Sequence, residues 1–333
     1  MTAARATGVA VAAGERAPIA PATLRRVELT LSCRDTDAVP KVLGAGTVVE
    51  ERGRRVQIMH EGTRVLAGGY HGAWMEEIIR GLEGHHEPQE ELLFHHLLAH
   101  ARPRTRIVEL GCFWAYYTNW YLGAVPGSSA VCVEPSPANL EVGRTNVAMN
   151  GRRAVFVNAL VGEPRPAGVD GVEQLDMDAL LDRVGRVPVE VLHMDVQGAE
   201  LPFIRSLRRA VEASLVRFAV VSTHDAAISG SPTTHGDCIR ELESLGATVL
   251  AEHSVQESFS GDGLIVAAFQ AADRGIRLPE VSRNVSGITL FDPQFLAGLE
   301  TAEPPPPPPA AEPVAPTGRF RAWMRKLGRR RVA

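Results

Sequence analysis

From Arg104 to Phe269 the chain repeats one rhythm, in which a short apolar run and a few small or polar residues are followed by a stretch with helical spacing. RIVEL (106–110), AVCVE (130–134), AVFVN (154–158), VEVLHMD (189–195) and VRFAVVS (216–222) are short and continuously apolar, as strands buried on both faces must be. Between them, ANLEVGRTNVAMN (138–150), MDALLDRV (177–184) and LPFIRSLRRAV (201–211) carry helical periodicity with few breakers. Such alternation dictates a parallel sheet with crossover helices. The close departs from it: after a helix over Cys238–Leu245, ATVLAEH (247–253) and GLIVAAF (263–269) flank a polar stretch and predict an antiparallel pair at one sheet edge. The expected fold is a doubly wound α/β sheet, mostly parallel with a terminal antiparallel strand.

The flanks read differently. Residues 1–25 are rich in Ala, Pro and Thr without periodicity and predict a disordered leader, structure starting near Leu24. Residues 26–103 predict a small α+β module, with a hairpin in GTVVEERGRRVQIMH (46–60) and helices over Trp74–Leu82 and Gln89–His100. The catalytic unit then spans 104–272, and 273–300 is an extension. A spacer over 301–318 contains six consecutive prolines, Pro304 to Pro309, a polyproline II run. Behind it, 319–333 places Phe320, Trp323, Met324 and Leu327 on one helical face among basic residues only, and predicts contact with an anionic membrane or a protein partner.

The net charge of -4 gives no reason to expect nucleic acid. The 4 cysteines lack metal or disulfide spacing and fit a reducing cytoplasm, and no apolar run approaches the roughly 18 residues of a membrane span.

In open parallel sheets, ligands lie outside the carboxyl ends of the strands, where the winding reverses. The first strand ends in Glu109, Leu110, Gly111 and Cys112, with Tyr116 close behind; the glycine permits a tight turn against which a ligand can lie. The second ends at Glu134, spaced to accept ribose hydroxyls, with Ser136 and Asn139 following. After the third, Asn158 and Ala159 are placed to edge an adenine. The plain alternative for both glutamates is interaction with a helix N-terminus. The fourth and fifth strands end at Asp195 and His224, the expected catalytic pair, either able to take a hydroxyl proton. Glu200 opens the next helix, as a cap or as a ligand to a backbone donor. His86, Glu87 and Gln89, with Asp225 and His253, are candidate substrate contacts, and capping by Glu87 is the plain alternative. A divalent metal is possible but not expected; Asp195, His224 and Asp262, joined by Asp225, His235 and His253, are its candidate ligands.

RIVELGCFWAYY, VEPSPANLEVGRTNVAMN and HMDVQGAEL together resemble the FkbM-type methyltransferase family from about Arg106 to Phe269. GGYHGAWMEEIIRGLEGHHEPQEE, STHD and ESFSGDGLIV look like a subgroup of it with its own N-terminal module. The resemblance implies a Rossmann-like class I methyltransferase sheet, S-adenosylmethionine as cofactor and O-methylation of a carbohydrate or natural-product hydroxyl. It sets Glu134 at the ribose-binding acid and Asp195 at the acid of the IDVxGxE segment. The chain departs from the pattern where Ala115 stands for a second glycine and Phe113 for a common asparagine. Two other functions fit the residues. An inactive adaptor on the same fold suits the altered loop, whereas a nicotinamide-linked oxidoreductase lacks its G-x-G-x-x-G fingerprint after the first strand.

Overall fold

The computed structural model describes residues 21–166 and 171–287. The first twenty residues of the expected leader, the end of the extension, the proline spacer and the basic tail lie outside the described residues.

The N-terminal module consists of α1 (Pro21–Ser32), the strands β1 (Val48–Glu51), β2 (Arg54–Ile58) and β3 (Arg64–Leu66), then α2 (Ala73–Gly81) and α3 (Pro88–Leu98). Its three strands form an antiparallel meander, one strand more than the expected hairpin. Helix α1 begins inside the predicted leader because it has a docking site. Val27 is buried, the Arg26 guanidinium donates to the Ser260 carbonyl at 3.1 Å, and the Thr30 hydroxyl donates to the Phe259 carbonyl at 2.8 Å. Those contacts offset the ordering entropy that composition alone cannot.

The α/β unit follows with β4 (Arg106–Leu110), α4 (Tyr116–Ala124), β5 (Ser129–Val133), α5 (Pro137–Met149), β6 (Val155–Val157), β7 (Leu160–Val161), β8 (Gln174–Leu175), α6 (Met177–Val184) and β9 (Val189–Met194). Next come α7 (Glu200–Arg205), α8 (Arg208–Glu212), β10 (Val216–Thr223), α9 (Ala226–Ser229), α10 (Thr234–Ser244), β11 (Thr248–His253) and β12 (Gly263–Ala268). The main sheet has seven strands in the order β11-β12-β10-β9-β4-β5-β6. Its pairings are parallel except those of β12 with β10 and with β11. This is the Rossmann-like class I methyltransferase arrangement, and the winding reverses between β4 and β9.

One apolar cluster joins the sheet to α6, α7, α8 and α10, through Leu180, Leu181, Phe203, Ile204, Ala210, Cys238 and Leu242. A second joins the opposite face to the N-terminal module and α4, through Ile78, Ile79, Leu93, Phe94, Leu97, Tyr116 and Tyr121. Each leucine, isoleucine or phenylalanine among them, taken wholly out of water, contributes about 1.5–3 kcal/mol.

Two helices depart from expectation. LPFIRSLRRAV is one run in sequence but two helices in space, because Ser206 bonds back to the Phe203 carbonyl and also accepts the Met177 amide at 3.1 Å. Helix α4 escapes periodicity because every residue from Tyr116 to Tyr121 is buried, so it has no polar face to betray it. Among the described residues, no helix is long and apolar enough to cross a membrane.

Candidate active-site cavity

At the switch point β4 is squeezed between its neighbours. The Asp195 amide donates to the Leu110 carbonyl at 2.9 Å, and the amides of Gly111 and Cys112 both donate to the Val133 carbonyl, at 2.8 and 3.0 Å. Gly111 has φ +74°, and a Cβ there would stand 1.6 Å from the Asp195 carbonyl oxygen. Only glycine fits. The following loop keeps this tight path with less suitable residues: Phe113 has φ 36° and Ala115 has φ 57°, left-handed values that cost a non-glycine residue about 1–2 kcal/mol. Gly143 in α5 lets the loop descend, since a Cβ there would lie 2.7 Å from the Phe113 carbonyl.

These strand ends open onto a cavity of ≈ 470 Å³, within the range of cofactor sites. Glu109, Gly111, Cys112, Glu134, Asn139, Ala159 and Asp195 all line it. One Glu134 oxygen accepts the Ser136 amide at 2.9 Å and the Asn139 side-chain amide at 3.4 Å; the other accepts the Phe113 amide at 3.3 Å. Burial raises its carboxyl, and those donors oppose the rise. Pro135, Ala159, Leu160 and Val161 add an apolar slot beside it. Glu109 accepts the Thr118 amide at 2.9 Å, and burial, opposed by His193 and Thr118, pushes it up to about 7.

Three expected cofactor contacts point elsewhere. Ser136 caps α5, accepting the Asn139 amide at 3.3 Å. The Asn158 side chain donates to the carbonyls of Glu134 and Pro135, at 2.9 and 2.8 Å, and so braces the loop instead of lining the cavity. Tyr116 is turned into the N-terminal module, its hydroxyl donating to Glu91 at 2.9 Å. Tyr117, one residue on along α4, faces the cavity in its place.

The opposite wall comes from the N-terminal module: Tyr70, His71, His86 and Glu87, with Trp114 stacked on Tyr70 at a centroid distance of 4.5 Å. Glu87 stands at the N-terminus of α3 but makes no capping bond. Glu91, one turn on, accepts the amides of both His86 and Glu87, at 2.7 and 3.1 Å, and so ties the chain entering α3 to its first turn. The Glu87 carboxylate accepts the Tyr117 hydroxyl at 3.1 Å and lies 3.3 Å from His86 Nε2. Burial disfavours charge on His86, but Glu87 and Glu91 outweigh it and raise the imidazole to about 10. Gln89 faces away from both cavities, donating to the carbonyls of Glu257 and Ser282 at 3.0 and 2.7 Å, and clasps those segments to α3.

A second cavity of ≈ 330 Å³ shares Tyr70, His71, His86, Glu87, Asp195 and Gln197 with the first. Beyond that common wall it is lined by Arg26, Trp74 and Asp262, among others. The Arg26 guanidinium lies 5.0 Å from the Trp74 ring centre.

Of the expected catalytic pair, Asp195 lines both cavities and His224 neither. His224 lies behind Asp195, with Nε2 3.1 Å from Asp195 and 3.6 Å from Asp262, and Nδ1 2.5 Å from Glu200. Burial disfavours its charge, but Asp262, Asp195 and Glu200 together raise it to about 12. With its ring nitrogens facing Asp195 and Glu200 and no exposure to either cavity, His224 is placed to orient Asp195 rather than to meet an acceptor. Burial would raise Asp195, yet His224, His193 and Gln197 hold it below the ordinary aspartate value. Asp262 is pushed by burial, against His224, to about 7.

Asp225 and His253 line neither cavity: Asp225 caps α9 through the Ala227 amide at 2.9 Å, and His253 lies 3.1 Å from the Ser254 carbonyl. His235 faces Thr223 and Glu252. Asp225, His235 and His253 thus stand apart from the rest of the six-residue metal set, whereas Asp195 and Asp262 both face His224 Nε2, at 3.1 and 3.6 Å. Elsewhere, His60, His85 and Glu91 bring potential ligand atoms within 4.8 Å of one another. Yet the two rings stack at 4.1 Å and 20°, so their in-plane lone pairs run side by side rather than meeting at one ion.

Sequence reasoning missed Tyr70, His71, Trp114, Tyr117, His193 and Gln197. Tyr70 and His71 belong to a glycine-rich loop far from the strand ends, and only the fold brings them there. His193 carried a signal: it is a polar residue inside the apolar run VEVLHM, and it bonds Glu90 at 2.6 Å.

No family model matches this chain, and no curated protein does. Among solved structures it resembles an O-methyltransferase from Bacillus cereus in complex with SAH, with 17% identity, 55% of this chain and 80% of that one covered, and a TM-score of 0.36. It also resembles fibrillarin from Aeropyrum pernix with natively bound S-adenosyl-L-methionine, with 15% identity, coverages of 50% and 67%, and a TM-score of 0.35. A TehB-like SAM-dependent methyltransferase from Corynebacterium glutamicum has 12% identity, coverages of 53% and 86%, and a TM-score of 0.34. At such distances these proteins say nothing of what this chain acts on.

Proposed function

We propose that this chain is an S-adenosylmethionine-dependent O-methyltransferase acting on a hydroxyl of a carbohydrate or a similarly polyhydroxylated natural product. The observation that carries this reading is the Glu134 carboxylate, fixed by the amides of Phe113 and Ser136 and facing the same cavity as the Gly111 turn and Asp195. That donor set fits the cofactor. Glu134 is placed to accept ribose hydroxyls, the apolar slot of Pro135, Ala159, Leu160 and Val161 to take a purine, and Glu109 to meet an ammonium. Bound there, S-adenosylmethionine supplies an electrophilic methyl group, so the protein's task is alignment and proton removal.

The second cavity supports an acceptor site, because the common wall is where the two ligands would meet. Its aromatic faces suit sugar C–H surfaces, and its carboxylates suit hydroxyl donors. Asp195, held ionised by His224, is the acceptor-orienting group in this reading. The basic tail could still bring the enzyme to an anionic membrane or a protein, and deletion of residues 317–333 with liposome sedimentation tests that separately.

The decisive assay supplies the full chain with methyl-labelled S-adenosylmethionine and a panel of monosaccharides, glycosides and polyols. Label in an O-methyl ether is the expected outcome. Tight binding of S-adenosylhomocysteine without transfer to any panel member would favour the inactive-adaptor reading, and binding of NAD alone the oxidoreductase.

A further inference from the structure

We propose that Asp195, Gln197 and His224 form a site for an octahedral divalent cation, with Asp262 in its outer shell. The inference deepens the methyl-transfer reading, on which only the purpose of the ion rests.

His224 lies between two sets of partners. On one side, the wholly buried Glu200 faces its Nδ1 at 2.5 Å, and Glu200 is itself fixed by the Gly198 amide at 3.0 Å. A carboxylate on one ring nitrogen sets the tautomer and turns the other nitrogen toward a metal. On the other side, Nε2 meets Asp195 Oδ1 at 3.1 Å, the Gln197 side-chain amide at 2.7 Å and Asp262 Oδ1 at 3.6 Å. A single N–H cannot serve all of these groups at once.

The spacing suits an ion. Ligand atoms about 2.1 Å from an octahedral cation stand roughly 3 Å from their neighbours at right angles. His224 Nε2, Asp195 Oδ1 and the Gln197 amide are separated from one another by 3.1, 2.7 and 3.3 Å. A half-turn of the Gln197 amide presents its oxygen, and the three atoms then make one face of a coordination octahedron. Asp262, further out, is placed to accept from a water on the ion, since small hard cations keep several. An imidazole, a carboxylate and an amide oxygen suit Mn²⁺, and the ion replaces the Nε2 proton, which leaves to solvent. The stacked rings of His60 and His85 offer no such face.

Asp195 and Gln197 line both cavities, so the ion belongs to their common wall. Its chemistry there is that of a Lewis acid, which holds an acceptor hydroxyl and eases loss of its proton. The proton passes to solvent as the oxygen bonds to the methyl carbon, and the carbon–sulfur electron pair stays on sulfur.

Paramagnetic resonance of Mn²⁺ added to the full chain tests the site without any acceptor, because bound Mn²⁺ drops out of the signal of the free ion. The wild-type protein is expected to bind one equivalent. Asp195→Asn should weaken binding by about 100-fold, the upper range for loss of even a supporting partner. Gln197→Glu adds a charged oxygen and should tighten it, a gain that no misfolded chain can show. His60→Gln, in the other cluster of histidine and glutamate, should leave it unchanged. Absence of bound ion in the wild-type protein overturns the proposal. So does binding that Asp195→Asn and Gln197→Glu both leave unchanged, or that His60→Gln abolishes. Titration with S-adenosylhomocysteine separates the two readings: if it fails to bind while Mn²⁺ binds as described, the methyl-transfer reading falls and the cation site stands.

Discussion

Across the larger cavity, two walls are held by different forces. At the ends of β4, β5 and β9 the wall is main chain: the Gly111, Cys112 and Asp195 amides are locked into neighbouring strands, and Glu134 is fixed by backbone donors. On the other side, the N-terminal module presents ionisable side chains held by one another: Glu87 on His86, His86 on Glu91, Glu91 on His85 and Tyr116. The first wall is stiff, because main-chain bonds within the sheet hold it. The second is a set of buried charges whose state depends on each partner, so it can set proton transfer and acceptor choice but is costly to disturb.

The contrast can be broken most severely at Gly111. Gly111→Ala should cost at least about 4 kcal/mol and abolish cofactor binding, because the added Cβ lands on the Asp195 carbonyl and neither strand can yield. Chemical denaturation measures it, and a loss under 1 kcal/mol would mean that the wall is soft. Glu134→Ala comes next, removing a charged acceptor of ribose hydroxyls. S-adenosylhomocysteine should bind about 2–3 kcal/mol more weakly, roughly 100-fold, by titration calorimetry.

Behind the charged wall, where His60 stacks on His85, the expected effect is a slope rather than a loss. Burial, aided by His85, lowers the His60 pKa from 6.5 to about 3. Below pH 6.5 the unfolded chain therefore binds a proton that folded His60 refuses. Stability should fall as pH drops from 6.5 toward 3, by up to about 1.4 kcal/mol per pH unit from this group. His60→Gln should flatten that limb, and an unchanged slope in denaturation series would remove His60 as its source. The smallest effect is expected at Ala115, where glycine relieves a left-handed φ but gives up a buried methyl group. Those contributions of about 1 kcal/mol each nearly cancel, so Ala115→Gly should shift stability by no more than roughly 0.5 kcal/mol.

The same contrast decides what could be read from sequence. The strand ends were legible because parallel strands are unbroken apolar runs, and the chemistry sits where each run stops: Gly111, Glu134, Asp195. Helix α4 was hidden because burial on every side erases periodicity, and with it the choice between Tyr116 and Tyr117. Tyr70, His71 and the Asp262 loop join the site only through tertiary packing, in which α1 clamps residues 259–260. For His224, position at a strand end was right, but its charge depends on Asp195 and Glu200 after β9 and on the distant Asp262, and no local pattern joins those.

The central claim is that the main-chain wall binds S-adenosylmethionine through Glu134. Titration calorimetry of the full chain with S-adenosylhomocysteine and with NAD tests it most directly. Binding of S-adenosylhomocysteine that Glu134→Ala weakens, with no heat from NAD, is the predicted result. Binding of NAD with none of S-adenosylhomocysteine would contradict the account.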